Sequence, residues 1–387
     1  MIGFRPSLST QDAMKLIKYE IIDRNTRDVR TILGLDLEKA FDNVSHAHIL
    51  DSISDLGLGQ SFHAFVDSFL RHRKATLKIG HLKSEPIEHG SRGTPQGSVV
   101  SPLLFNIAMC KLSQKLSEVE GINHTLYADD ITIWCVGGCE GRVEEALQEA
   151  LDRREAFLAG ARLRLSSSKS QLFLYRSSRR GVKPKGWVPL SEVNLALRTS
   201  DGHLISRVKV IRVLGMLIES NGCNQHTIAK ITAKTDSMIR LITRVSNSRG
   251  GIREDNLLKL FHAFLMSHIT YVAAMHCWQN HEKTKLNLLI RKSIKRVLGI
   301  LMNASTERLM QLGVHNTLEE IEAQHTAQTA RLSSSAAGRE ILALLGCNPS
   351  LEEERKICPT KEQRAGITVS CIRSTMWAGE APEARPY

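Results

Sequence analysis

The chain lacks the spacings that mark the commoner metal and nucleotide sites. Its eight cysteines contain no CxxC pair, so a zinc ribbon or zinc knuckle has no ligand frame. Fifteen histidines include His46 and His48, but no HExxH is present, which leaves helical zinc hydrolysis without support. A Walker A string is absent as well. No apolar run approaches the ~18 residues of a membrane span. The opening Met1-Ile2-Gly3-Phe4-Arg5-Pro6 has no apolar h-region of a secretory signal. Scattered cysteines without such a signal fit a reducing compartment. The expectation is an intracellular protein with no membrane partner, with nucleus and cytoplasm not distinguished. Internal repeats, heptad arrays and long low-complexity tracts are missing too.

What remains is a globular composition. At 387 residues the chain can bury a substantial core, and its length allows two or three domains or subdomains. A hydrophobic content of 42% with 24% charged residues separates it from disordered chains. A formal charge of +12 and a pI near 9.4 favour a polyanionic partner. Composition alone does not separate nucleic acid from an anionic membrane surface.

Residues 10–25 read as a helix, with Thr10 as cap and Ala13, Leu16, Ile17 and Ile21 on one face. Val29 to Leu37 is a β-rich apolar run carrying Asp36 at its end, which predicts a buried strand. Ser45 caps a predicted helix through Leu56, and Gly57 terminates it. Ser61 to Leu70 reads as another helix, followed by the basic Arg71-His72-Arg73-Lys74. Ala75 to Glu88 suggests a hairpin around Gly80. Ser101-Pro102 opens a helix towards Leu116, with Pro tolerated at its start. Thr125 to Val136 reads as a second hairpin, and Glu144 to Ala159 as a helix. Residues 171–175 and 208–218 read as strands flanking a loop rich in Ser, Arg, Lys and Gly. Trp134 and Trp278 sit in apolar runs and are expected in the core.

Beyond about residue 226 the pattern turns helical. Leu286, Leu289, Ile290, Ile294, Val297 and Leu298 recur at helical spacing, with Arg291, Lys292, Lys295 and Arg296 interleaved. Residues 226–300 hold 13 Lys and Arg against 4 Asp and Glu, a local surplus of +9 that places the electrostatic footprint there. The tail after about 346 shows no clear periodicity and is expected to be loosely ordered.

Two carboxylate clusters flank a Gly-Gln turn. The first is Leu35-Asp36-Leu37-Glu38-Lys39-Ala40-Phe41-Asp42, the turn is Gly93-Thr94-Pro95-Gln96-Gly97-Ser98, and the second cluster is Tyr127-Ala128-Asp129-Asp130. Asp36 and Asp129 are 93 residues apart, so only the fold can unite them. Phosphoryl transfer needs its developing charge neutralised and its nucleophile and leaving group held in line. Two hard cations on carboxylate oxygens do both. Successive strand residues point to opposite faces, so a tight hairpin is needed to bring Asp129 and Asp130 to one site. Singly each string is weak, since an Asp-Asp pair or a Gly-rich turn is usually only a turn. The signal is their order and context.

In that order the strings resemble the reverse transcriptases of non-LTR (LINE-type) retrotransposons of animals, arthropods among them, over nearly all of residues 1–345. The resemblance implies an α+β fold: a right-hand polymerase palm of antiparallel sheet with helices, truncated fingers and an α-helical thumb. It divides the chain into partial fingers (1–30), palm (31–225), thumb or connection (226–345) and a poorly defined tail (346–387). It implies RNA-directed DNA polymerase activity with RNA template, DNA primer and dNTPs as partners, and two Mg2+ ions, replaceable by Mn2+, as cofactors.

By the same resemblance Asp36 and Asp129 ligate metal and Asp130 stands near the primer end as a third carboxylate of the set. Phe41 matches an aromatic gate beneath the incoming sugar that excludes a 2′-OH; the alternative is a core aromatic. Gln96-Gly97 lies against the nascent base pair, where glycine admits close backbone approach. Tyr127 is either a primer contact or a core strand residue. Lys169, in Leu165-Ser166-Ser167-Ser168-Lys169-Ser170, is either a general acid for pyrophosphate or a solvated loop charge. Val213-Leu214-Gly215 is similar to the primer-grip turn, and Gly3-Phe4-Arg5-Pro6-Ser7 to the segment where Arg5 meets the template backbone. The basic helices from 226 would grip the duplex backbone without reading sequence.

The family's fingers extend upstream of Gly3 and include basic residues that hold the triphosphate. The length leaves no room for an upstream endonuclease, and no zinc knuckle or RNase H signature follows the helical region. Three readings stay open: an active polymerase domain, a catalytically incompetent remnant that still binds RNA, and an unrelated metal-dependent nuclease or binding module. The last leaves Phe41 and Gln96-Gly97 without a role. A viral RNA-dependent RNA polymerase is disfavoured by Phe41 and by Ala128 before the Asp pair.

Overall fold

A computed structural model describes residues 1–346 apart from 6, 25, 27, 89, 178–186, 247–250 and 307–316. The residue-level expectations for the Ser- and Arg-rich loop and for the tail therefore lie largely outside the described residues. Strand β1 (Arg30–Leu35) is the centre of the first unit. Its burial explains its composition: Arg30 to Leu33 and Leu35 are all buried, so both faces of the strand are covered and no alternation is visible in the sequence. Before it, α1 (Thr10–Ile17) passes into a π-helical turn (Lys18–Ile22). The expected helix to residue 25 thus ends early, and Glu20 in that turn accepts a bond from the Trp134 indole.

After β1 come α2 (Ala40–Asn43), α3 (His46–Asp55) and α4 (Gln60–Leu70), then the short strands β2 (Lys74–Ala75), β3 (Lys78–Ile79), β4 (Leu82–Lys83) and β5 (Ile87–Glu88). β2 pairs with β5 and β3 with β4, which makes one exposed hairpin. Helix α5 (Ser101–Ser117) leads to β6 (Asn123–Tyr127), β7 (Asp130–Cys135), α6 (Glu140–Gly160) and β8 (Gln171–Tyr175). β9 (Ser206–Val208), β10 (Val210–Val213) and β11 (Met216–Glu219) complete the unit.

The main sheet has the order β6-β7-β1-β8-β9, and β10–β11 forms a separate hairpin. The pairings are antiparallel except β8 with β9, which is parallel. Leu33, Leu35, Ile131, Ile133, Leu172 and Leu174 form one core cluster with Leu104, Ala108, Leu112, Leu147 and Leu151 of α5 and α6. The sheet is thereby fixed from below by two helices.

The described residues divide into two compact units between Cys223 and Asn224. The second is helical: α7 (Gln225–Val245), α8 (Glu254–Leu260), a π-helical turn (Phe261–Met266), α9 (Ser267–Ala273), α10 (Asn280–Val297), α11 (Leu318–Thr329) and α12 (Ala336–Leu344). Ile231, Ile239 and Ile242 of α7 meet Leu286, Ile290, Ile294 and Val297 of α10 in its core, as their spacing predicts. One basic residue departs from its expected place. Lys295 is buried, and its ammonium donates to Met302 O at 3.1 Å and Ala304 O at 2.6 Å, so it holds the chain after α10 and adds nothing to a surface footprint. Among the described residues no helix is long and apolar enough to cross a membrane.

Leu33 is fully buried at the middle of β1. Leu33→Ala should cost about 2–5 kcal/mol by the lost transfer energy and the cavity left behind; urea unfolding measures it, and a loss below about 1 kcal/mol would contradict the central place given to β1.

Candidate active site

One register brings the distant carboxylates together. Leu35 pairs with Ile131 across β1 and β7. Continued by one residue, that pairing sets Asp36 opposite Asp130. Tyr127 pairs with Asp130 to close the β6–β7 hairpin, which leaves Ala128 and Asp129 as its two-residue turn. Ala128 takes a φ of +55°, a region that residues with a Cβ enter reluctantly. The Asp pair is therefore split between turn and strand, which removes the opposite-face problem of a continuous strand.

The three carboxyl groups lie in one field. The Asp130 carboxyl is held above its ordinary pKa, first by desolvation, then by the charges of Asp129 and Asp36, while Arg212 pulls the other way. The side chain keeps surface exposure even so. Asp36 is half-buried, and its Oδ2 is enclosed with no hydrogen-bond partner among the described residues. The Lys169 ammonium stands 3.3 Å from that oxygen, close enough for an ion pair.

Among the described residues no group of three His, Cys, Asp or Glu side chains is already gathered as a metal cage. Magnesium-like ions usually take one or two protein carboxylates and complete their shell with water and substrate phosphate. Hard oxygen donors, mutual repulsion and an enclosed Asp36 Oδ2 held by an ion pair with Lys169 but by no hydrogen bond among the described residues fit such an ion.

The Gly-Gln turn is locked to the first carboxylate cluster. The Gly93 N–H donates to Val44 O at 2.8 Å and the Thr94 N–H to Phe41 O at 2.7 Å. Gly93 has φ +82°, and a Cβ there would lie 2.7 Å from Asp42 O, so glycine is required for both reasons. The Gln96 amide donates to Asp42 Oδ1 at 2.9 Å. Gly97, at φ +90°, is exposed with open space before it. Phe41 stacks on Phe105 of α5 at 4.5 Å between ring centroids and is half-buried: it has a core partner and a free edge at once.

The remaining expected residues divide. Tyr127 is half-buried at the hairpin, 6.1 Å from the Phe4 ring. The N-terminal segment is pinned there by Ile2 N–H to Leu126 O at 2.9 Å and by the Asn106 amide to Gly3 O at 2.7 Å. Arg5 is exposed, and its guanidinium donates to Met1 O at 3.4 Å; none of its described contacts is with the carboxylates. Leu214 and Gly215 form the β10–β11 turn, at φ +47° and +94°. Sequence reasoning passed over Arg212, whose charge reaches Asp130. Its signal is the exposed position between buried Ile211 and Val213. Asp42 as the anchor of Gln96 and Asn106 as the clamp on Gly3 were passed over too, and only contacts reveal them.

Residues 1–218 match the family model described as reverse transcriptase (RNA-dependent DNA polymerase). Among curated proteins, the RNA-directed DNA polymerase from mobile element jockey of Drosophila funebris is 22% identical over 77% of this chain and 31% of its own length. The Pol polyprotein from type-2 retrotransposable element R2DM of Drosophila melanogaster is 32% identical over 43% of this chain and 16% of its own. The Pol polyprotein from the R2 element of Nasonia vitripennis is 33% identical over 32% of this chain and 12% of its own. The chain thus spans less than a third of the length of these relatives.

The raised Asp130 carboxyl carries a sign. The charged form is penalised in the folded state, so the penalty is absent below the ordinary carboxyl pKa of about 3.9 and grows as pH rises through that value towards the raised one. Asp130→Asn should therefore raise the Tm in EDTA at pH 7 and leave it unchanged at pH 3. Equal shifts at both pH values would show that the carboxylates do not share a field.

Proposed function

The chain belongs to the reverse transcriptase (RNA-dependent DNA polymerase) family, and from that premise we propose that it extends a DNA primer on an RNA template, as the polymerase portion of a longer non-LTR retrotransposon protein. In this reading residues 31–225 are the palm, residues 1–30 contribute to the fingers and residues 226–345 are the thumb. The observation that carries it is the β1–β7 register, which sets Asp36 opposite Asp130 with Asp129 in the adjoining turn.

Asp36, Asp129 and Asp130 would hold two Mg2+ ions, or Mn2+ in their place. When bound, the ions neutralise the charge that develops on the transferred phosphoryl group and on the leaving pyrophosphate. The protein supplies position. Gln96 and Gly97 would rest against the nascent base pair, and the Gln96–Asp42 bond supports that role by holding the side chain in place. Phe41, buttressed by Phe105, is stiff enough to reject a 2′-OH by contact. Tyr127 and the Leu214-Gly215 turn would place the primer end. Lys169 would have to leave Asp36 before it could protonate pyrophosphate. The basic residues of 226–300, the buried Lys295 aside, would grip phosphates, with an affinity that falls steeply with salt.

Extension of a DNA primer on an RNA template with dNTPs and Mg2+ tests the reading. Asp36→Ala or Asp129→Ala should slow extension by about 10²–10³-fold or more, as the loss of a group that stabilises transition-state charge does. RNA affinity in a filter-binding assay should stay within about twofold, because phosphate contacts dominate it. Wild-type extension by Asp129→Ala would show that the carboxylates are not the metal ligands. Phe41→Ala should raise ribonucleotide incorporation relative to dNTPs; unchanged discrimination would remove its role as gate.

A further inference from the structure

A charged side chain in a protein core is normally paired. Arg154 is an exception. It lies on the core-facing side of α6 with Leu147, Ala150, Leu151, Phe157 and Leu158, at 0% exposure. None of its three guanidinium nitrogens has a hydrogen-bond partner among the described residues. An apolar residue would fill that place at no electrostatic cost, so the charge needs a reason.

The segment after α6 is stitched to the end of β1. Leu37 bridges to Leu165, the Glu38 N–H donates to Arg164 O at 3.0 Å, and the Ser166 N–H donates to Asp36 O at 2.9 Å. Leu35 and Leu37, which flank Asp36, share one core cluster with Leu151, Phe157 and Leu158 of α6. Arg154 lies on the buried face of α6, which packs against β7, the strand paired with β1, and the field of Asp36 reaches it. Burial pulls its pKa down to about 9, while the fields of Glu155 and then of Asp36 favour its charged form. It remains a cation at neutral pH. Asp36 thus feels one exposed cation, Lys169, and one buried cation, Arg154.

We propose that Arg154 is a positioning residue for the carboxylate site: a buried counter-charge to Asp36 that keeps this carboxylate's own hold on divalent cations weak. Ions are then held weakly by the protein alone and more tightly when an incoming triphosphate adds its oxygens. This rests on the reading that these carboxylates bind metal. The enclosed Asp36 Oδ2, held by the Lys169 ion pair but by no hydrogen bond among the described residues, fits a site that its substrate completes.

Mn2+ titration of the nucleic-acid-free chain, followed by electron paramagnetic resonance, tests it. Arg154→Met should tighten Mn2+ binding by on the order of tenfold, the effect of removing one nearby charge in a partly buried setting. In an Asp36→Ala background the same substitution should have no effect. Arg154→Lys is the second variant: a buried ammonium gives up its proton more readily than a guanidinium, so at pH 8 it should tighten binding in the same direction. An unchanged Mn2+ dissociation constant in a variant whose circular dichroism matches wild type would overturn the proposal and make Arg154 a packing residue. The two readings fail separately. Primer extension that survives with no Mn2+ shift overturns the Arg154 role alone, whereas a shift without wild-type extension counts against the polymerase reading.

Discussion

Three carboxylates held in one another's field are the constraint around which the first unit is built. Like charges at the end of an apolar sheet repel, and the chain cannot relax them apart because β1 and β7 are paired over five residues and buried on both faces. Cations of different freedom surround the group. Lys169 is exposed and can swing away, Arg212 reaches in from the β10–β11 hairpin, and Arg154 is fixed in the core. These cations offset part of the repulsion, and the charges of Asp129 and Asp36 still hold the Asp130 carboxyl up.

The second constraint is coupling. The Gly-Gln turn, the first carboxylate cluster and α5 are tied through Gly93, Thr94, Gln96 and the Phe41–Phe105 stack. A residue facing the substrate in this group is therefore also a structural contact. Phe41 is half-buried against Phe105, and that packing is compatible with the proposed gate. Stiffness is what a steric filter requires, since a ring that could move aside would not discriminate by contact.

Much of this was legible in the chain itself. The apolar run ending at Asp36, the hairpin around the Asp pair and the burial of Trp134 and Trp278 all follow from pattern and apolar context. The register was not legible, because pairing of β1 with β7 depends on packing between residues about a hundred positions apart. The parallel pairing of β9 was hidden for the same reason. Lys295 looked like part of a basic face, but its long side chain folds back to cap backbone carbonyls. Arg154 left a trace that periodicity could have caught: it occupies an apolar position of α6, between Leu151 and Phe157. A charge in an apolar stripe is readable as a position, though not as a role.

The account turns on the claim that the metal-free site is held under repulsion that a divalent cation relieves. Thermal unfolding of the nucleic-acid-free protein from EDTA through a Mn2+ series, beside Asp129→Ala, tests that claim most directly. Binding to the folded state alone must raise the Tm. The account predicts that the wild-type Tm starts lower and climbs with Mn2+, while Asp129→Ala starts higher and stays nearly flat. Parallel curves for the two proteins, or no response in either, would contradict it.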